Sequence, residues 1–346
     1  MNKNFVFKLA ALLLFTFSTG NSCMAQQRVM LDSIIHLLGT ESIYKDKFDK
    51  ELYKRRRDSV NINDFKGAIA PLVQQMLTDI GDHHGMLMRD HHIFLSDRPD
   101  DAETDTVLLK FAYDEAFAFR STLIANQYGY VSIPSPQIPM EAFSDHTKAV
   151  DFISGMAQQI QDTICALESH NLNGLILDLR LSMGGNMPLL LNSISVLIGD
   201  GKVFDVVWGN GTESTYQLID GQLYEGDTYL GKTANRCSFN KQKIAVLIGP
   251  LNGSASSQTA MALKGLDNVR FFGEETSRYS SNITRLIRFS NGASLNFAAG
   301  LVKDREGIVY EGSVTPDVYI KGGDNFESLA EDAKVKAAIA WFEEGA

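Results

Sequence analysis

Two spacings of apolar residues divide this chain. From Arg28 to about Met88 they recur every three or four positions: Leu31, Ile34, Ile35, Leu37 and Leu38, then Ile69, Leu72, Val73, Met76, Leu77 and Ile80. That period predicts helices with one buried stripe. The charged run Lys45 to Asp58 between them reads as a solvated helix face. Arg89 to Thr106 is polar, contains Pro99 and reads as a loop, and the apolar run Val107 to Ala118 fits a strand. After residue 129 short apolar runs take over. Gly129 to Pro134, Gly174 to Arg180, Ile244 to Ile248, Val269 to Gly273, Ile283 to Phe289 and Ala293 to Val302 predict strands. Ala142 to Ser169, Pro188 to Leu197 and Phe326 to Phe342 predict helices, and Val203 to Tyr229 reads as β-rich. Strands alternating with helices argue for an α/β core behind an N-terminal helical region.

The first residues follow another rule. Lys3 and Lys8 precede an apolar run from Leu9 to Phe17, and small and polar residues end at Cys23-Met24-Ala25. This is the pattern of a secretory signal cleaved after Ala25, and its apolar run is too short to span a bilayer. The expected protein is therefore exported, periplasmic or extracellular. Lipidation of Cys23 would be the one route to membrane association. Without Cys23, Cys165 and Cys237 remain, either as a disulfide or as two buried thiols.

Net charge serves here only to exclude. At −10, with no basic stripe, the chain is not expected to bind nucleic acid. No Cys/His spacing resembles a zinc site, and neither metal nor cofactor is expected.

Candidate chemistry gathers at three places. The run Ile244 to Ile248 enters a Gly/Pro/Asn turn, followed by Ser254, Ser256, Ser257 and a helix-like Ala/Met/Leu stretch. A strand turning sharply into a helix can present a serine hydroxyl beside free backbone N–H groups, although Ser and Asn there could equally serve as helix caps. The strand ending Asp178-Leu-Arg-Leu-Ser-Met runs into Gly184-Gly185-Asn186, where the backbone could come close to a ligand and aim N–H groups at an oxyanion. Gly81-Asp82-His83-His84-Gly85 supplies an imidazole able to take a proton near neutral pH.

The DLRLSMGGN stretch, the serine segment and Val309-Tyr-Glu-Gly-Ser-Val-Thr-Pro-Asp317 occur in that order. Together they resemble the serine peptidases that include the tail-specific (C-terminal processing) proteases and the tricorn protease core. The resemblance runs from about Gly129 to Ile320 and takes in His84. It implies a Clp-protease/crotonase-like α/β core over 126–346, behind a signal peptide (1–25) and a helical region with a connecting segment (26–125). Only about forty residues separate His84 from Gly129, so no PDZ domain is expected there.

In register with the family, the nucleophile falls on Ser254, with Ser256 as the alternative two residues on. The general-base lysine of tail-specific members falls on Tyr279, a poor base at neutral pH. The histidine of tricorn-type members falls on His84, and the glutamate that orients it falls on Glu311. The amides of Ala255 and of Gly184 or Gly185 would form the oxyanion hole. A family glutamate falls on Ser257. The resemblance thus implies a serine-type endopeptidase acting on peptides or proteins through a Ser-His-Glu acyl-enzyme. The alternative is an inactive member of the same fold that binds a peptide or an apolar ligand in the cell envelope.

Overall fold

A computed structural model describes residues 24–97, 106–114, 117, 119–133, 135–136, 138, 145–234, 236–239, 241–277 and 282–344. Cys23, most of the expected signal segment, and Tyr279 lie outside these residues. Contacts divide the chain into two units. One draws on the chain before residue 100, on 208–211 and on 284–300, and the other on the remainder.

The first unit opens with a helix over 24–40 that buries Leu31, Ile34, Ile35 and Leu38, the stripe its spacing predicts. The helix Lys50–Ser59 buries only Tyr53, as expected of a charged, solvated face. The helix Ala70–Ile80 buries Ala70, Val73, Met76, Leu77 and Ile80. It stops at Gly81, whose φ of 75° is the left-handed conformation that closes a helix. The stretch expected to be a loop instead begins with a hairpin. Strands Met86–Arg89 and His92–Leu95 pair antiparallel across Asp90 and His91, and Met86 to Met88 also pair with Ser294 to Asn296. Asp90 and His91 take φ of 49° and 63°, so this tight turn forms without the Asn-Gly or Asp-Gly signal that would have announced it.

The second unit is built on a six-stranded sheet. Its order is Val318–Tyr319, Val269–Gly273, Ile244–Ile248, Gly174–Asp178, Tyr128–Ser132 and Arg120–Ile124. All neighbours are parallel except the last pair. Both faces of its centre are buried, which explains why the central strands read as continuous apolar runs rather than alternating ones. One face packs Ile176, Ala245, Leu247 and Phe272 against Val335, Ala338 and Phe342 of the C-terminal helix Ala333–Glu343. That helix starts later than expected because the Asp332 side chain accepts the Lys334 and Val335 N–H groups and fixes the first turn there. The strands Gly201–Trp208, Glu213–Ile219, Gln222–Glu225 and Thr228–Lys232 form an antiparallel meander, as the β-rich pattern indicated.

Two further expectations resolve here. The run fitted to a strand at Val107 is the helix Thr106–Tyr113, whose Leu108, Phe111 and Ala112 pack against Leu181 and Phe326. A short apolar run does not distinguish the two states, and here the i, i+3, i+4 contacts decide. Cys165, near the end of the helix His146–Ala166, is joined to Cys237 by a disulfide with a Cα–Cα distance of 5.4 Å.

Candidate active site

The serine segment leaves the C-terminal end of the strand Ile244–Ile248 at the middle of the parallel sheet, where ligand crevices of open α/β sheets form. A tight turn follows: the Asn252 N–H donates to the Gly249 carbonyl at 2.9 Å. The helix Ser254–Met261 then begins, with Gly253 at its N-cap and no side-chain cap. The capping role open to Ser and Asn is therefore not the one they play. Ser254 takes φ of 48°, a left-handed conformation costly for a residue with a Cβ and found at strained functional turns. Its side chain is partly exposed, whereas Ser256 is fully buried, its hydroxyl 2.6 Å from the Asn252 amide nitrogen that donates to it. Local geometry thus separates two serines that look alike in sequence.

The glycine loop leaves the neighbouring strand Gly174–Asp178 and comes alongside. A Cβ placed on Gly184 would lie 2.9 Å from the Ser254 Cβ, 3.1 Å from the Gly253 carbonyl oxygen and 3.5 Å from the Ala255 nitrogen. Only a glycine admits that approach, and Gly184 also needs its φ of 121°. Gly185, at φ 135°, faces Pro136 instead. The buried Ala255 stands in the first turn of the serine helix, where N–H groups have no intrahelical acceptor. Ser254, Ala255 and Gly184 are therefore brought together.

Glu311 lies exposed on a bend of the same unit. Three residues later, Val314 pairs with Thr276: its carbonyl accepts the Thr276 N–H at 3.1 Å and its N–H donates to the Thr276 hydroxyl at 2.8 Å. The adjacent Ser277 N–H donates to the Asn252 carbonyl at 2.8 Å. A hydrogen-bonded strap thus links the Glu311 segment to the turn before Ser254. Ser257, where the family carries a glutamate, is fully buried and its hydroxyl has no hydrogen-bond partner among the described residues.

His84 belongs to the first unit, on the loop between the helix Ala70–Ile80 and the strand Met86–Arg89. Its backbone is held from both sides. The His84 N–H donates to Asp82 Oδ1 at 3.1 Å, and the His84 carbonyl accepts from Asn296 Nδ2 at 3.2 Å. Asp82 is fully buried, and its Oδ2 accepts the Ala298 N–H at 2.8 Å. Burial pushes the Asp82 carboxyl up to about 6, against the pull of the Ala298, His84 and Gly85 amides. His83 lines a cleft of about 450 Å³ with Lys47, Asp79 and Asp97. The task of Asp82, holding the His84 backbone, is not evident from the sequence alone. A carboxylate two residues before the candidate base, next to a helix-closing glycine, was the available signal.

Over 154 residues the chain is 30% identical to the nisin-resistance protein of Lactococcus lactis subsp. lactis, covering 44% of this chain and 48% of that relative, about half its length. Among solved structures it resembles a lipoprotein from Streptococcus agalactiae, with a TM-score of 0.63 at 18% identity, covering 93% of this chain and 96% of the other. A Parabacteroides merdae protein gives a TM-score of 0.56 at 16% identity, over 90% and 95%. These likenesses bear out the fold, an α/β protein with a Clp-protease-like core. The model of peptidase family S41 matches residues 127–320, more than half of the chain, and with it the expected kinship to serine peptidases holds: the chain belongs to peptidase family S41.

Proposed function

We propose that this protein is an exported serine-type endopeptidase that hydrolyses peptide bonds through an acyl-enzyme on Ser254. The observation that carries the reading is the approach of Gly184 to Ser254 and Ala255 at the strained start of the helix. In the proposed reaction the Ser254 hydroxyl attacks the peptide carbonyl carbon and His84 takes its proton. The Ala255 amide and a Gly184 or Gly185 amide donate to the oxyanion of the tetrahedral intermediate. The intermediate collapses, His84 returns the proton to the leaving amine, and water then releases the acyl group. Glu311 holds the imidazole tautomer and balances the imidazolium. No cofactor takes part. The disulfide and the N-terminal signal pattern support an oxidising, exported setting. The name of the nisin-resistance relative makes nisin a substrate to assay.

The test is fluorophosphonate labelling and peptide turnover of the mature protein beside Ser254→Ala, His84→Ala and Ser256→Ala. The reading expects labelling lost in the first, greatly slowed in the second and kept in the third. Equal labelling of all three would reject it. The buried, unpartnered Ser257 at the family's glutamate position favours a second reading, a peptide- or apolar-ligand-binding protein without turnover. Saturable binding with no product would select that one.

A further inference from the structure

Six charged side chains meet beneath the glycine loop. Arg180, two residues past the strand Gly174–Asp178 and four before Gly184, is 1% exposed. Its Nε donates to both oxygens of Asp178 at 3.0 and 3.1 Å, and its Nη2 donates to Asp178 Oδ2 at 2.6 Å. Its Nη1 donates to Asp324 Oδ1 at 2.5 Å and to Asp332 Oδ2 at 2.8 Å. The guanidinium also stacks 4.6 Å from the centre of the Phe326 ring. Lys334, equally buried, continues the cluster to Asp324 at 2.7 Å and to Glu274 at 3.3 Å. Asp332 is also the residue that caps the C-terminal helix.

Burying this many charges is a poor route to stability. Desolvation offsets most of the Coulomb attraction, and apolar replacements of buried ion pairs are often neutral or better. What such a cluster supplies is geometry. A planar, five-donor guanidinium can join three carboxylates at fixed angles, and a lysine cannot. Here it joins the root of the glycine loop to the C-terminal segment. Within the loop, the Ser182 N–H donates to the Leu179 carbonyl at 2.9 Å and the Met183 N–H donates to Ser135 Oγ at 2.8 Å, while Leu181 packs against Leu108 and Phe326.

We infer that Arg180 is a positioning residue: clamped by Asp178, Asp324 and Asp332, it sets the Gly184 backbone against Ser254, so that the C-terminal segment governs the oxyanion hole. The catalytic consequence rests on the peptidase reading above, whereas the mechanical one does not.

The test compares the full mature protein with Arg180→Lys and Asp332→Asn; the second keeps an oxygen for the helix cap. Hydrogen exchange of the amides at 182–186 reads the clamp directly and is expected to speed up about tenfold in Arg180→Lys while the strand Ile244–Ile248 stays protected. Turnover per active site, titrated with a fluorophosphonate, is expected to fall about 100-fold with KM changed less than about threefold, because a misplaced donor is felt in the transition state. A purely structural role would lower the folded fraction and leave turnover per titrated site unchanged. Should Arg180→Lys fail to fold, Asp332→Asn carries both readouts, with smaller changes in the same direction. Unchanged exchange at 182–186 in a folded variant, or unchanged turnover per titrated site, would overturn the inference. A wild-type protein that neither labels nor turns over would sink the peptidase reading, and the exchange result alone would then decide the clamp.

Discussion

Two serines two positions apart have opposite surroundings, and this decides what each can do. Ser256 is buried and accepts from Asn252, so Ser256→Ala removes a buried hydrogen bond. That is expected to cost about 1–3 kcal/mol in denaturant unfolding while labelling survives. Ser254→Ala is expected to lower peptide turnover by at least about 10³-fold with no such loss of stability. Asp82 adds a pH signature. Its carboxyl is raised from its ordinary 3.8 to about 6 by burial, so the folded state holds the proton more tightly than the unfolded chain. Its contribution to stability is then fullest below pH 3.8 and is lost as pH rises through about 6. Unfolding free energies of wild type and Asp82→Asn, measured across that window, should show wild type losing ground with rising pH; a gap that does not change with pH would contradict the assignment. The residue names at 254, 256 and 82 were all legible. The burial that divides the serines and lifts the carboxyl was not, because it depends on strands and helices distant in sequence.

At the scale of elements, the site is the meeting of two strand-to-helix loops. The apolar runs Gly174–Asp178 and Ile244–Ile248 announced themselves as buried strands, and their parallel pairing puts both following loops at one sheet edge. Gly184→Ala would set a methyl group 2.9 Å from the Ser254 Cβ in a backbone conformation that resists a side chain. Turnover is expected to drop about 10²–10³-fold while the far-ultraviolet circular dichroism stays that of wild type. A variant with ordinary kcat would show that this glycine is not part of the oxyanion hole. The elements that escaped the sequence did so for local reasons. Asp90 and His91 form a hairpin turn with residues rarely used there, the helix Thr106–Tyr113 is too short for its period to be read, and the start of the last helix depends on one aspartate.

At the scale of the whole molecule, family membership and the parallel sheet were visible as motifs in order, while the disulfide was an open choice between pairing and burial. Cys165 and Cys237 are 72 residues apart in sequence, so reduction frees a long loop of the second unit. Replacing both with serine is expected to lower stability by about 2–5 kcal/mol, seen as a fall in Tm that dithiothreitol reproduces in wild type and does not deepen in the variant. The clasp also makes ruggedness conditional on the surroundings. In a reducing medium the chain lacks this bond and folds less tightly, and oxidation locks the fold, so that full resistance to unfolding belongs to oxidising conditions alone.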